Sequence, residues 1–399
     1  MELMAPAGDL ERLTFALRYG ADAVYLAGNR FGMRKSAGNF DEAGLRQAVA
    51  LAHAKGVRVY LTCNIIPRDE DLTDLPEYLA FAQEIGVDAL IVTDLGAFAM
   101  AGRYAPKVER HISTQAGVLN AESARAFYDL GATRVILARE MSLDEIAALR
   151  ANTPRDLGIE VFVHGAMCVS FSGRCLLSQY MANRDANQGN CAQPCRWKYH
   201  LMEETRPGQY MEIFEDGGTH ILNARDLSMI AHLPDLLATG VDSLKIEGRA
   251  KSFYYAAVIT NAYRKALDAA LSGKPIDPVW IKEVEKVSHR AYSTGFFYDK
   301  EGGGQYTSDA LYIRGSTVVG VIEDCDQQGE AVLSQRNRFA IGETLELLTP
   351  QDKPISFRLE EMRDEAGTPI ETAPHPMMRV RLRLPHAVPK YSILRRNEP

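Results

Sequence analysis

Residues 20–28 read GADAVYLAG, and the order of residue types in that stretch decides the fold. A glycine ends the preceding helical pattern, because glycine enters the left-handed conformation that closes a helix without a Cβ clash. A nearly continuous apolar run follows, as expected of a parallel strand covered on both faces. The junction recurs as GVRVYLTCN at 56–64, GVDALIVTD at 86–94, GATRVILAR at 131–139, GIEVFVHG at 158–165 and GVDSLKIEG at 240–248. Each of the six glycines, Gly158 included, is expected to close a helix.

The segments between these junctions have helical periodicity. In DEAGLRQAVALAHAKG, Leu45, Ala48, Val49 and Ala52 fall on one face. Asp9, Asn120 and Ser142 stand where N-caps belong. Two further strands complete the pattern: ELMAPA at the N-terminus, and KVERHISTQ in the gap between Gly86 and Gly131. Eight strands, each followed by a helix, make a (β/α)8 TIM-like barrel. A doubly wound open sheet is the competing α/β solution. The strand count and the lack of a dinucleotide-binding glycine fingerprint favour the barrel.

Gly158 and Gly240 lie 82 residues apart, far more than one βα unit needs. A cysteine-rich insertion of about residues 165–242 is therefore expected after strand seven, on the face where barrel loops carry chemistry. Its second half, KYHLMEETRPGQYMEIFEDGGTHILN, has the turn signals of a hairpin. The barrel is expected over residues 1–300, closed by the helix SFYYAAVITNAYRKALDAALSG. Residues 310–399 change to short strands and turns, a small all-β domain of barrel or sandwich type.

Composition is that of a globular protein: 399 residues, 46% hydrophobic and 24% charged, with a net charge of −7. That balance excludes a wholly basic nucleic-acid coat but permits a local basic patch. The start, MELMAPAGDL, lacks the features of a signal peptide. No apolar run is long enough to span a membrane. A cytoplasmic setting with reduced thiols is the expectation.

Four of the six cysteines, Cys168, Cys175, Cys191 and Cys195, fall within 28 residues with spacing C-x6-C-x15-C-x3-C. Clustered thiolates select zinc or an iron-sulfur cluster. Zinc sites usually show two close pairs, and here only Cys191 and Cys195 form one. Wide, glycine-rich spacing suits a cluster cage; zinc and four unrelated thiols remain the alternatives. Cys63 and Cys325 read as packing residues.

Polar residues recur at strand ends: Asn64, Asp94, His111, Ser113, Gln115, Arg139, Glu140, His164, Lys245, Glu247 and Arg249. In a barrel these positions face the substrate, although any one of them alone reads equally well as a satisfied loop residue. Along MMRVRLRLP, Arg379, Arg381 and Arg383 alternate onto one face. From Arg379 to Arg396 six basic residues occur without an acidic one, a patch suited to RNA phosphates or a solvated outer face. H-E-x-x-H and G-x-S-x-G are absent. A nucleophilic pair of Cys168 and His164 would leave three cysteines unexplained.

The stretch EVFVHGAMCVSFSGRCLLSQYMANRDANQGNCAQPCRWKY, with APAGDLERLTFALRYGADAVYLAG, SAGNF and ISTQAGVLN, resembles the U32 family, long labelled collagenase-like peptidases. The resemblance covers the barrel end to end. It implies an O2-independent hydroxylase acting on a wobble uridine of tRNA, a cytidine of 23S rRNA or the ubiquinone ring. A barrel followed by one small β domain is most similar to the members that make 5-hydroxyuridine in tRNA. Cys168, Cys175, Cys191 and Cys195 fall on the family's [4Fe-4S] positions, and prephenate is the implied hydroxyl source. A dicarboxylate of that kind calls for arginine forks, with Arg139, Arg174, Arg196 and Arg249 as candidates. His164, Arg174 and Glu247 are the candidates for catalysis. Asn64, His111, Gln115, Arg139, Glu140, Arg196, Lys245 and Arg249 are candidates for substrate binding. Expected partners are a tRNA anticodon loop, a small dicarboxylate and no membrane, with a homo-oligomer or a second U32 protein as further options. A peptidase acting through Cys168 and a non-catalytic cluster chaperone are the competing functions.

Overall fold

A computed structural model describes residues 1–33, 38–168, 170–171, 174–197, 201–202, 210–211, 224–299, 313–350 and 352–398. The side chains of Arg196 and of residues 201–202 and 210–211 lie outside the description.

The barrel strands are β1 (Glu2–Pro6), β2 (Ala23–Leu26), β3 (Arg58–Cys63), β4 (Ala89–Val92), β5 (Glu109–Ile112), β6 (Arg134–Ile136), β7 (Gly158–Ala166) and β8 (Ser243–Ile246). They pair in parallel in chain order, and β8 closes the ring by pairing with both β1 and β7. The helices that return the chain are α1 (Leu10–Arg18), α2 (Glu42–His53), α3 (Leu75–Glu84), α4 (Leu95–Tyr104), α5 (Ala121–Asp129), α6 (Leu143–Ala151), α7 (Leu233–Ala238) and α8 (Phe253–Leu271). The fold is a (β/α)8 barrel.

The local signals act as their chemistry dictates. The carboxylate of Asp9 and the side chains of Asn120 and Ser142 accept from backbone N–H groups of α1, α5 and α6, each such cap contributing about 1 kcal/mol. On α2, Leu45, Ala48, Val49 and Ala52 are the buried residues. Gly20, Gly56, Gly86, Gly131 and Gly240 take positive φ after their helices. Gly158 does not. Helix α6 ends at Ala151, the chain turns through Pro154, and Gly158 is already the first residue of β7, where its backbone packs on the Arg134 side chain.

The end of β7 departs from a simple barrel strand. Lys245 pairs with Phe162, but the next residue, Ile246, pairs with His164. One extra residue on β7 is a β-bulge, and a bulge changes which side chains face inward. Beyond it, His164, Gly165 and Ala166 pair antiparallel with the strand Asp226–Ser228, which extends the sheet to Tyr292–Ser293. Gly165 has φ +110°, and a Cβ there would lie 2.4 Å from the Glu247 carbonyl oxygen. Only glycine lets the two strand ends approach this closely. Of the expected hairpin, the pairing of Leu201–Met202 with Tyr210–Met211 is described, and the rest lies outside the described residues.

The C-terminal domain is a seven-stranded antiparallel sheet built on β9 (Ser316–Cys325), β10 (Glu330–Gln335), β11 (Thr344–Leu348), β12 (Ile355–Arg358), β13 (Met362–Asp364), β14 (Arg379–Arg383) and β15 (Ile393–Asn397). Its order is β12-β11-β15-β9-β10-β14-β13. It has a core of its own, yet Val321, Leu348 and Ile393 join the barrel core. Helix α8 is caught between the two parts and is buried on several faces, from Tyr254 to Leu267. Arg395 is fully buried at this junction, 2.7 Å from Glu283 and 2.9 Å from Glu346, and it donates to the Tyr254 hydroxyl. It is thus a clasp between domains and not part of the basic surface patch read from the sequence.

Candidate functional site

At the C-terminal end of the barrel strands lies a cavity of about 180 Å³. Its floor comes from the strands. Lys245 on β8 points inward and lies 3.0 Å from Glu160 on β7, whose other oxygen accepts from Arg134 at 2.9 Å. Arg134 reaches on to Glu2, which also accepts from Tyr60 and Ser243. These charges sit in the barrel interior, where an ion is tolerated only when paired. Burial alone would raise the Glu160 carboxyl, but Lys245 and Arg134 hold it below its ordinary value. Burial pushes the Lys245 ammonium down while Glu160 opposes the shift.

Above the ion chain stands an aromatic step. Lys245 lies 4.6 Å from the Tyr25 ring centre, and the Arg139 guanidinium covers Phe162 at 4.1 Å. Arg139 donates to the Ala166 carbonyl at 3.0 Å, and its Nε is buried without a partner among the described residues. Arg249 is buried and donates to the Thr62 hydroxyl at 3.2 Å. Glu247 accepts from the Tyr25 hydroxyl at 3.2 Å. Three cations therefore reach the cavity wall beside two carboxylates, Glu140 and Glu247.

The cysteine loop lies across this mouth. Cys168, Cys175, Cys191 and Cys195 all line the cavity, with Cys168 exposed and the other three half-buried. The loop is pinned at two places on the barrel rim. The amide of Ile66 donates to the Asn187 carbonyl and Gln188 donates to the Ile66 carbonyl, while Arg174 donates to the Gln115 carbonyl at 2.7 Å. The sulfurs of Cys175 and Cys191 each accept an N–H, from Leu177 and Gln193, at 3.3 Å.

Among the described residues no three His, Cys, Asp or Glu side chains stand close enough to hold a metal ion as they are. A single zinc would need four sulfurs about 3.8 Å apart, from its Zn–S bond length and tetrahedral angle. In a four-iron cluster each sulfur binds a different iron, so the sulfurs stand farther apart. Four thiols on one cavity wall form a donor set whose chemistry suits zinc or an iron-sulfur cluster.

The structure brings together Asn64, Gln115, Arg139, Glu140, Lys245, Glu247, Arg249 and the four cysteines. It places three candidates elsewhere. His164, turned by the bulge, faces α8 and lies between the hydroxyls of Tyr263 and Tyr292, 3.3 Å from each. It is therefore not beside Cys168 as a base. His111 is fully buried on β5 below the cavity, bonded to Glu109. Arg174 is exposed and holds the rim rather than lining the cavity. For Arg196 only the backbone is described, in the turn Pro194–Arg196. Asp94 is occupied as the N-cap of α4. Arg379, Arg381 and Arg383 share one exposed face of β14, but Arg379 is bound by Glu323 and Glu365.

Sequence reading missed Tyr25, Phe162 and Thr62 as cavity residues and Glu160 and Arg134 as the floor. The signal for Glu160 was a lone carboxylate in the apolar run GIEVFVHG.

A barrel whose strand ends bring three cations and two carboxylates to one cavity, crossed by a loop that delivers four thiols, defines the class: a (β/α)8 protein with an enzyme-type site and a thiolate ligand set. Residues 8–306 match Peptidase family U32, and residues 314–395 match the Peptidase family U32 C-terminal domain. The chain belongs to peptidase family U32. It is 37% identical to the tRNA hydroxylation protein P of Escherichia coli, covering 99% of this chain and 96% of that one. It is 34% identical to the tRNA hydroxylation protein P1 of Bacillus subtilis, over 100% and 95%. It is also 31% identical to a protein of Porphyromonas gingivalis named Collagenase, over 92% and 91%.

Proposed function

We propose that this chain is an RNA-modifying hydroxylase acting on tRNA, and that its target is carbon 5 of the wobble uridine. The observation that carries the reading is one cavity shared by barrel-strand polar groups and four cysteines, in a chain similar over its full length to two tRNA hydroxylation proteins. A cavity of about 180 Å³ open to solvent admits a splayed base or small acids, not a folded polymer. An RNA base must therefore be splayed out of its stack to enter, which single-stranded loops permit.

Cys168, Cys175, Cys191 and Cys195 would hold a [4Fe-4S] cluster. When bound through four cysteines it has no open iron site, so it supplies electron transfer or electrostatic orientation to whatever occupies the cavity. Arg139 and Arg249, both on the cavity wall, would bind the carboxylates of prephenate as co-substrate. Lys245, held against Glu160, presents its Nζ on the cavity floor. Glu247, fixed by Tyr25, is the carboxylate placed to accept a proton.

The name of the Porphyromonas relative raises a peptidase reading. The histidine that reading needs is not beside Cys168, because His164 is committed to Tyr263 and Tyr292 on the far side of β7.

Nucleoside analysis of tRNA from a strain lacking the gene tests the reading. Loss of 5-hydroxyuridine and its derivatives, restored by the wild-type gene but not by Cys191→Ala, is the expected result. Unchanged tRNA, in a strain with no second family member to compensate, would refute it.

A further inference from the structure

Three of the five exposed aromatic side chains among the described residues, Phe171, Tyr180 and Trp197, lie on the cysteine loop; Tyr104 and Tyr298 are the others. Tyr180 is 79% exposed and Trp197 42%. A soluble protein seldom gathers large apolar side chains in water without a use for them. None of the three lines the cavity; they are carried by the loop whose Ser170, Leu177 and Pro194 do. Phe171 sits against Gly117, next to the turn that Arg174 holds, and the helix Leu177–Ala182 bearing Tyr180 packs on the turn Pro194–Arg196 that precedes Trp197.

The loop itself carries more positive than negative charge. Between residues 174 and 197 the sequence has Arg174, Arg184 and Arg196 against one acid, Asp185, in a chain with a net charge of −7. Asp185 is occupied by Arg68 at 3.4 Å and by its own turn. Exposed aromatics interleaved with arginines are the pattern that binds single-stranded nucleic acid, with bases stacked on rings and phosphates on guanidiniums. The C-terminal arginine face has charge without aromatics, and Arg379 there is already neutralised.

We infer that the outer face of the cysteine loop is the platform on which a single-stranded RNA loop is held. Tyr180 and Trp197 stack the bases that flank the one entering the cavity. This rests on the RNA reading above and assigns its binding surface. The loop would then serve two ligands, thiolate sulfurs facing inward and aromatic rings facing outward.

Trp197 and Trp280 are the two tryptophans, and Trp280 is buried, so quenching of the exposed indole reports on this face. The anaerobically purified chain is titrated with a synthetic anticodon stem-loop and with a fully paired duplex of the same length. The expected result is saturable quenching by the stem-loop alone. Tyr180→Ala and Trp197→Ala, followed by filter binding, are each expected to weaken stem-loop binding at least tenfold, on the order of one stacked base. Arg381→Glu with Arg383→Glu is expected to change it less than twofold. Tight binding that both aromatic variants retain, with normal circular dichroism, overturns the platform and leaves the RNA reading intact. No binding by the wild-type chain also overturns it, and the tRNA profile of the deletion strain then decides separately whether the RNA reading falls too.

Discussion

The cavity has two walls of opposite character. The floor is made by barrel strands, and its ionic groups are already paired: Lys245 with Glu160, Glu160 with Arg134, Arg134 with Glu2. The roof is a loop with four thiols outside any disulfide, exposed aromatics and few buried apolar residues. The floor's charges are therefore matched within the chain, whereas the roof gathers a thiolate ligand set on the cavity wall. The difference suggests a division of labour in which the floor sets geometry and charge and the loop binds what the chain itself does not supply.

The largest expected effect breaks the roof alone. Cys191→Ala should abolish tRNA hydroxylation in cells while leaving the thermal unfolding of the metal-free chain within about 2 °C, since surface-type changes cost under about 0.5 kcal/mol. Loss of folding in that variant would show that the loop also supports the barrel.

Next in size is a break in the floor. Glu160→Ala leaves Lys245 and Arg134 without their shared carboxylate in the interior. Removing one partner of such a group costs about 3–5 kcal/mol, read as a shift in the denaturant midpoint. A change below about 1 kcal/mol would mean that water enters the floor.

The third test concerns acid. Burial pushes the His164 imidazole down to about 3, with His289 and Lys251 adding to the shift and Asp226 opposing it. The unfolded chain takes up that proton near 6.5. The stability that neutral His164 contributes is complete above pH 6.5 and is lost as pH falls from there toward 3, by up to roughly 5 kcal/mol. His164→Gln should flatten the stability profile across this window. An unchanged slope would place the acid sensitivity in other groups.

The smallest expected effect lies between the two walls. Arg139→Ala should raise the KM for prephenate about tenfold, the worth of one charge-assisted hydrogen bond, with stability nearly unchanged. An unchanged KM would move the carboxylate site to Arg249.

The strand repeat made the barrel legible, because glycine closure and apolar runs are local properties. The thiol set was legible for the same reason: its members share one segment. What sequence could not give was facing. His164 sits at a strand end by any sequence rule, yet one bulged residue turns it from the mouth to α8. His111 and Glu160 both point inward, but depth along a strand separates floor from cavity, and depth follows from the ring's register. Arg395 read as surface because the strand around it is basic. Only the docking of the two domains buries it, through Glu283 and Glu346.

The account stands on the roof being a cluster-binding loop. Anaerobic purification followed by iron, sulfide and zinc analysis tests this most directly. About four irons and four sulfides per chain, lost in Cys191→Ala, is the predicted result. One zinc with no sulfide would contradict it and make the cysteine loop a structural clasp over a floor that must then do the chemistry alone.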